Sequence, residues 1–488
     1  MTDELSRRIG ALSADKRALL EQHLLRRQQV AADDPIRRRR PGDPAPLSFA
    51  QQRLWFLDQW APGNPTYNAA LAFRLRGDLD VGRLREALAL VIARHEAVRT
   101  VFRAPAGEPE QVVLADWNFE LPERPVADPA ALPGLLREEA RRPFDLTRDL
   151  MLRAAVFRTG PDEAVLLLVE HHIAFDGWSD AVLFTELAAA YAALGAGRRP
   201  ELAELPVQYA DFALWQRRRL TGPLLDRLVS YWREQLADAP AQLSLPTDRP
   251  RPPVQTFTGA HRPFTAGEGP AAAVRALSRE EAATPYMTLL AAFVATLHLW
   301  TGATDVCVGT PIANRSRVEL EPLIGFFSNT LVLRLRPAAD GTFRQLVRQV
   351  KEAALGAYEH QDLPFEKVVE AVAPPRNPSR NPLFQVNFRV RTGPVDPLRL
   401  PGVRITPLPV DVGFSRFDLA MELALADGLA GYLEYNSALL EPGTADAFVR
   451  RFLRVLGAAV ADPDVPLATL RTAAAAGIRG SRRRPTPD

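Results

Sequence analysis

The 488-residue sequence is poor in the side chains that carry most metal, redox and proton chemistry: one cysteine, Cys307, four methionines and seven histidines. A single thiol excludes an intrachain disulfide framework and fits a reducing compartment such as the cytoplasm. Lysine is nearly missing, with Lys16, Lys351 and Lys367 the only three among 60 basic residues. The formal charge is +2, so no whole-chain field directs the protein to nucleic acid or to a membrane surface. No apolar run reaches the roughly 18 residues of a membrane span, and the N-terminus lacks a signal-peptide pattern. The expectation is a soluble, cytoplasmic monomer with neither nucleic-acid nor membrane partners.

What is present reads as globular. Hydrophobic residues make up 47% and charged residues 24%, and the length exceeds what one hydrophobic core usually supports. Residues 1–46 read as a helix over 5–29 followed by a polar, arginine- and proline-rich linker, and 471–488 as a flexible tail. The basic clusters at 37–40 and 482–484 read as solvated. Between them two subdomains are expected, 47–215 and 216–470, joined over about 215–255, where PTDRPRPP at 246–253 marks the join. Strands at 151–158 and 164–170 flank the hairpin signal TGPDE. A helix over 181–194 follows, with Ser179 or Asp180 as its cap. Strands at 418–426 and 430–436 and a helix over 444–460 echo that unit. Irregular alternation of strands and helices predicts an α+β fold.

One stretch stands apart. Residues 170–179 read EHHIAFDGWS and place two of the seven histidines side by side at the end of an apolar strand. Three readings compete. Both rings can be hydrogen-bonded structural residues. They can ligate a metal, but neither His298 nor Cys307 has another ligand near it in the sequence, and no His-Glu-x-x-His occurs, so no metal is expected. Or an imidazole that is neutral at cytoplasmic pH can take a proton from an amine or hydroxyl. In that reading Asp176 braces the turn by pairing with an arginine, and Gly177 lets a substrate approach the backbone closely.

The stretch resembles the core motif of nonribosomal peptide synthetase condensation domains, in the chloramphenicol acetyltransferase-like superfamily. The resemblance continues in family order with LSFAQQRLWFL at 47–57, RHEAVRTVF at 94–102, YADFALW at 209–215, IGFFSNT at 324–330, HQDLPFE at 360–366 and SRNPL at 379–383. Residues 247–260, GTPIANR at 309–315 and SRFDL at 415–419 are also similar to family stretches, and coverage is about 47–470. Trp55, Phe102, Trp215 and Phe365 within these blocks read as core aromatics. Asn329, an amide at an apolar strand start, must find partners, and is a candidate substrate contact or a structural amide.

The resemblance implies two acetyltransferase-like subdomains in a V-shaped pseudo-dimer, with the active site at their junction. It implies a donor acyl thioester presented on the phosphopantetheine arm of a carrier protein, with no cofactor bound by the chain itself. His172 would act on the attacking nucleophile, or steady the tetrahedral intermediate. His171 and Asp176 would hold the loop, Gly177 would meet the oxyanion and Trp178 would line the acceptor side. Amide formation on a small-molecule or carrier-tethered amine is the default; ester formation on a hydroxyl and a catalytically inactive, partner-recruiting domain are the alternatives. No adenylation motif and no carrier-type Gly-Gly-x-Ser loop occurs, so the chain is expected not to load its own substrates. A free-standing enzyme and a module of a longer synthetase both fit.

Overall fold

The computed structural model describes residues 34–471, apart from Pro41, Ala106, 393–397 and Asp427. The expected helix over 5–29 and nearly all of the tail lie outside the described residues. Residues 35, 37, 38, 40 and 42–44 are exposed, as expected of a solvated linker, but the segment is pinned to the fold at two points. Ile36 is buried, and the Arg39 backbone N–H and Nε both donate to Asp211 Oδ1 at 3.0 Å. A partly buried carboxylate recruits the nearest cation, which a basic, proline-rich composition does not foretell.

Two mixed sheets organise the chain. The first has the order β11-β1-β6-β5-β4 and the second β7-β13-β12-β10-β8-β9. In the first sheet β1 is Asn68–Gly77, β4 Glu123–Pro125, β5 Leu152–Arg158 and β6 Glu163–His171, while a separate hairpin joins β2, Thr100–Arg103, to β3, Glu110–Val113. Helices α1 (Phe49–Trp60), α2 (Val81–Arg94), α3 (Leu132–Arg141), α4 (Gly177–Gly195) and α5 (Tyr209–Arg219) belong to this half. The expected hairpin is β5–β6, which pair antiparallel. The helix after it starts at Gly177, four residues earlier than its apolar spacing predicted, because Asp176 and neither later residue is the N-cap, its side chain accepting from Ser179 N.

The second half begins in α6, Gly222–Gln235, whose Leu228 and Trp232 enter the second core. It continues through β7 (Gly259–Gly267), α7 (Glu268–Glu280), α8 (Pro285–Thr301), β8 (Val306–Ile312), β9 (Asn329–Leu335), α9 (Phe343–Glu359), α10 (Phe365–Val372) and β10 (Val386–Thr392). Helix α8 is buried without a break from Met287 to Leu299, as an all-round apolar helix must be. Among the described residues no single helix is long and apolar enough to cross a membrane. After β10 the chain leaves the second sheet: β11, Val403–Leu408, pairs with β1 of the first. It then returns as β12, Leu419–Leu425, and β13, Leu429–Asn436, before the closing helix α11, Pro442–Ala461. The second half therefore contributes to the first core, through Leu320, Leu323, Ile324, Phe326, Phe327, Leu398 and Leu400. Subdomains drawn as two sequence intervals omit this exchange, since hydrophobic pattern shows that a segment is buried and not against which core.

Candidate active site

The histidine loop forms because β6 is an interior strand. It is hydrogen-bonded to β1 on one side and β5 on the other, so its run from Ala164 to Val169 is buried on both faces. At its end the chain turns, with Ala174 N–H donating to His171 O at 3.0 Å and His172 N–H to Tyr67 O at 2.9 Å.

His171 faces inward. Its Nδ1 accepts from Ile173 N–H at 3.2 Å and its ring lies 5.5 Å from that of Phe144. Burial, then the neighbouring His172 and Arg153, push its pKa down to about 3. It is a neutral, structural ring. His172 differs: it is only part-buried, and Nδ1 is 2.9 Å from Phe175 O, so Nδ1 carries the hydrogen and Nε2 a lone pair. That Nε2 makes no hydrogen bond among the described residues. The ring rests 5.4 Å from Phe326. Burial first and Arg416 next push this imidazole down to about 3 against the Phe175 bond, with Arg389 and Arg53 adding to the fall.

Asp176 is buried and fully partnered. Oδ1 accepts from Ser179 N–H (2.9 Å), Ser179 Oγ (2.8 Å) and Arg315 Nη2 (3.0 Å), and Oδ2 from the N–H groups of Phe327 (3.0 Å) and Ser328 (3.2 Å). The bracing arginine anticipated from sequence is thus Arg315, itself buried and donating to Leu320 O and Leu323 O (2.8 Å). Gly177 opens α4 with its amide unpartnered among the described residues, and a Cβ there would meet nothing within 4 Å. Trp178 is 43% exposed, and its indole N–H donates to Glu321 O at 2.9 Å.

Asn329, a candidate substrate contact or structural amide from sequence, is used up internally. Nδ2 donates to Gln361 O and Leu363 O, both at 2.9 Å, and Oδ1 accepts from Thr330 N–H (2.8 Å) and Phe365 N–H (3.0 Å). With two donors and two lone pairs all engaged, the amide has nothing left for a ligand. It ties the start of β9 to the turn before α10. Sequence could say that it needed partners, not that backbone 32–36 residues later supplies them.

The satellite blocks converge on this loop. Ser48, the N-cap of α1, lies 2.8 Å from Tyr209 Oη, which donates to Phe326 O at 2.6 Å. Gln51 Nε2 reaches Ile173 O at 3.2 Å. Gly325 O accepts from Ser179 Oγ at 3.0 Å, and a Cβ on Gly325 would come within 2.1 Å of Tyr209. None of these roles follows from any block alone. Also unanticipated is a carboxyl pair beneath the loop: the buried Glu170, its Oε1 without a hydrogen-bond partner among the described residues, interacts with Asp180 in the first turn of α4. Burial raises both, Glu170 well above the carboxylate range and Asp180 to about 6, so the pair shares a proton.

Among the described residues no three His, Cys, Asp or Glu side chains are grouped to hold a metal. Two surface hollows, of about 440 Å³ beside Arg94 and Gln208 and about 250 Å³ beside Arg233 and Leu383, contain no residue of the 170–180 stretch.

A family profile described as "Condensation domain" matches residues 42–477. Phosphinothricin tripeptide synthetase PhsC of Streptomyces viridochromogenes is 42% identical over 481 residues, 96% of this chain and 44% of that protein. A linear gramicidin synthase of Brevibacillus parabrevis is 45% identical over 435 residues, 87% of this chain and 8% of its own length. The chain thus spans under half the length of these curated relatives. Among solved structures, the X-domain from teicoplanin biosynthesis superposes with a TM-score of 0.82 at 34% identity, covering 89% of this chain and 98% of that one. SgcC5 from Streptomyces globisporus, solved with a naphthyl ethanediol and sucrose, superposes at 0.72 and 28% identity, covering 86% of this chain and all of SgcC5.

Proposed function

The chain belongs to the condensation-domain family of nonribosomal peptide synthetases, and from that membership we propose that it transfers a carrier-tethered acyl or aminoacyl group to an amine, forming an amide. The donor is a thioester on the phosphopantetheine arm of a carrier protein, met in the cytoplasm by a single copy of this chain. The acceptor nitrogen attacks the thioester carbonyl, the C–S bond breaks, and the nitrogen's proton leaves with the thiol.

The observation that carries this reading is the free Nε2 of His172, held in one tautomer by the Phe175 carbonyl and open to a reactant. An imidazole pushed down to about 3 is a weak base. It is suited to accept a hydrogen bond from an amine already neutral, and to guide the proton on, more than to strip a proton from a poor acid. The unpartnered Gly177 amide at the start of α4, with the helix dipole behind it, suits the oxyanion of the tetrahedral intermediate. His171, Asp176 and Arg315 hold the loop, and the exposed face of Trp178 lines the acceptor approach.

Two other readings each have an observation behind them. Ester formation is favoured by SgcC5, whose structure holds a diol, while the low basicity of His172 disfavours it. Partner recruitment without catalysis is favoured by the X-domain, solved in complex with OxyB, and disfavoured by the open Nε2. The test offers acyl-loaded carrier protein with matched acceptors differing only in amine or hydroxyl. Faster turnover of the amine, lost by roughly 10²- to 10⁴-fold in His172→Ala with the fold intact, is the expected result. Faster turnover of the hydroxyl makes the native product an ester, and no turnover of either leaves recruitment.

A further inference from the structure

One face of the second sheet is charged where a sheet interior is normally apolar. Arg389 and Arg391 on β10, Glu422 on β12, Tyr432 and Glu434 on β13 and His261 on β7 share that face, and the strand register sets Arg389 against Glu422, Glu422 against Tyr432 and Glu434 against His261. Glu422 is shared by Arg389 and Arg391, the latter at 2.6 Å, and Tyr432 Oη, donating to Glu422 at 2.7 Å, accepts from Arg389 Nη2 at 2.9 Å. Glu434 is 3.4 Å from His261 Nε2. β10 is an interior strand, yet the Arg389 side chain keeps 37% of its surface open, so no packed layer fully covers this face there.

Arg416 adds a further cation. It precedes β12, and its backbone N–H donates to Glu434 at 3.4 Å. Among the described residues its guanidinium makes no hydrogen bond and no ion pair, and it lies over the ring of Tyr67 at 5.6 Å. Tyr67 in turn holds His172, its carbonyl accepting the His172 N–H at 2.9 Å. Arg389 and Arg391 share Glu422, His261 lies against Glu434 and Arg53 is paired with Glu366 at 3.2 Å, so Arg416 is the cation of this group that has no ion pair among the described residues. The uncompensated charge reaches the reacting atom: Arg416 is the largest influence after burial on the depressed His172 imidazole. Arg416 is half-buried, so its guanidinium is partly shielded from water without an anion, and a carboxylate is the anion whose two oxygens match its fork.

We propose that Arg416, with Arg389 beside it, binds a carboxylate of the acceptor, and that the acceptor is therefore an untethered amino or hydroxy acid. This rests on the acyl-transfer reading above. The phosphopantetheine phosphate is the other anion at hand, but the full length of the arm separates it from the thioester that His172 must serve. The donor's own carboxyl is consumed in the thioester. A carrier-bound acceptor has lost its α-carboxylate in the same way and brings one only on an acidic side chain, whereas a free acid brings one next to its nucleophile whatever its side chain.

The experiment uses the full chain and a panel of amino acids, each offered as the free acid, the methyl ester and the N-acetylcysteamine thioester, with one acyl-loaded carrier as donor. The expected result is that kcat/KM of the best acceptor favours the acid over its ester by about ten- to a hundredfold. In Arg416→Gln that ratio should fall to about one through KM, and Arg416→Lys should recover part of it. A wild-type preference for the ester or thioester, or a ratio unmoved in Arg416→Gln, overturns the proposal. So does Arg416→Gln lowering acid and ester alike. Calorimetry of the same acids and esters without donor separates the two readings. Arg416-dependent binding of acids without turnover keeps the carboxylate site and removes the activity. Turnover without acid preference does the reverse.

Discussion

Asp176 accepts six hydrogen bonds from three segments of chain, so its loss is not local. Asp176→Ala leaves the Arg315 guanidinium buried without its anion, which costs about 3–5 kcal/mol when one partner of a buried pair is removed. The expected outcome is a large drop in the urea midpoint with loss of activity; a well-folded but inactive variant would instead make Asp176 a direct participant in the chemistry. His172 makes a different prediction. With its imidazole pushed down to about 3, the neutral base is present at every pH above that, so kcat/KM between pH 5 and 8 should carry no limb near 6.5. With an amine acceptor the profile should rise toward the α-amine's own pKa, about 7.7–8.0, and with a hydroxyl acceptor it should be flat. A limb near 6.5 common to both acceptors would show an imidazole that titrates normally.

At the scale of the element, β6 and α4 are joined under the loop by the Glu170–Asp180 pair. Both carboxyls have raised pKa values in the fold, so between pH about 4 and the folded values the native state holds more protons than the unfolded chain. Stability is therefore fully present at low pH and is lost as pH rises through that window. Glu170→Gln keeps a donor toward Asp180 and removes one titration. The variant should melt higher than wild type at pH 8, with the gap closing by pH 4.5; an equal gap at both values would mean that no proton is shared.

For the whole molecule, the decisive feature is exchange between the halves. β11 completes the first sheet from the second half, and Leu320, Phe327 and Leu400 sit in the first core. Residues 34–219 expressed alone should therefore fail to fold, judged by amide dispersion in NMR, and the full chain should unfold in one urea transition. Two separated transitions would mean that each core stands by itself.

The order of strands and helices was legible in the sequence because apolar periodicity and turn residues are local signals. The β5–β6 hairpin, the β12–β13 hairpin and the helices that follow them appear near where those signals put them. The His171–Gly177 stretch, too, stood out by residue type alone. What sequence could not decide was partnership. Whether Asn329 faces a ligand depends on backbone carbonyls at Gln361 and Leu363, and which cation braces Asp176 depends on a segment 139 residues away. Likewise, a lone arginine in SRFDL is unremarkable until the fold sets its guanidinium over Tyr67 with no ion pair of its own among the described residues. Hydrogen bonds and charge pairs act over a few ångströms of space, and only the folded chain brings those ångströms together.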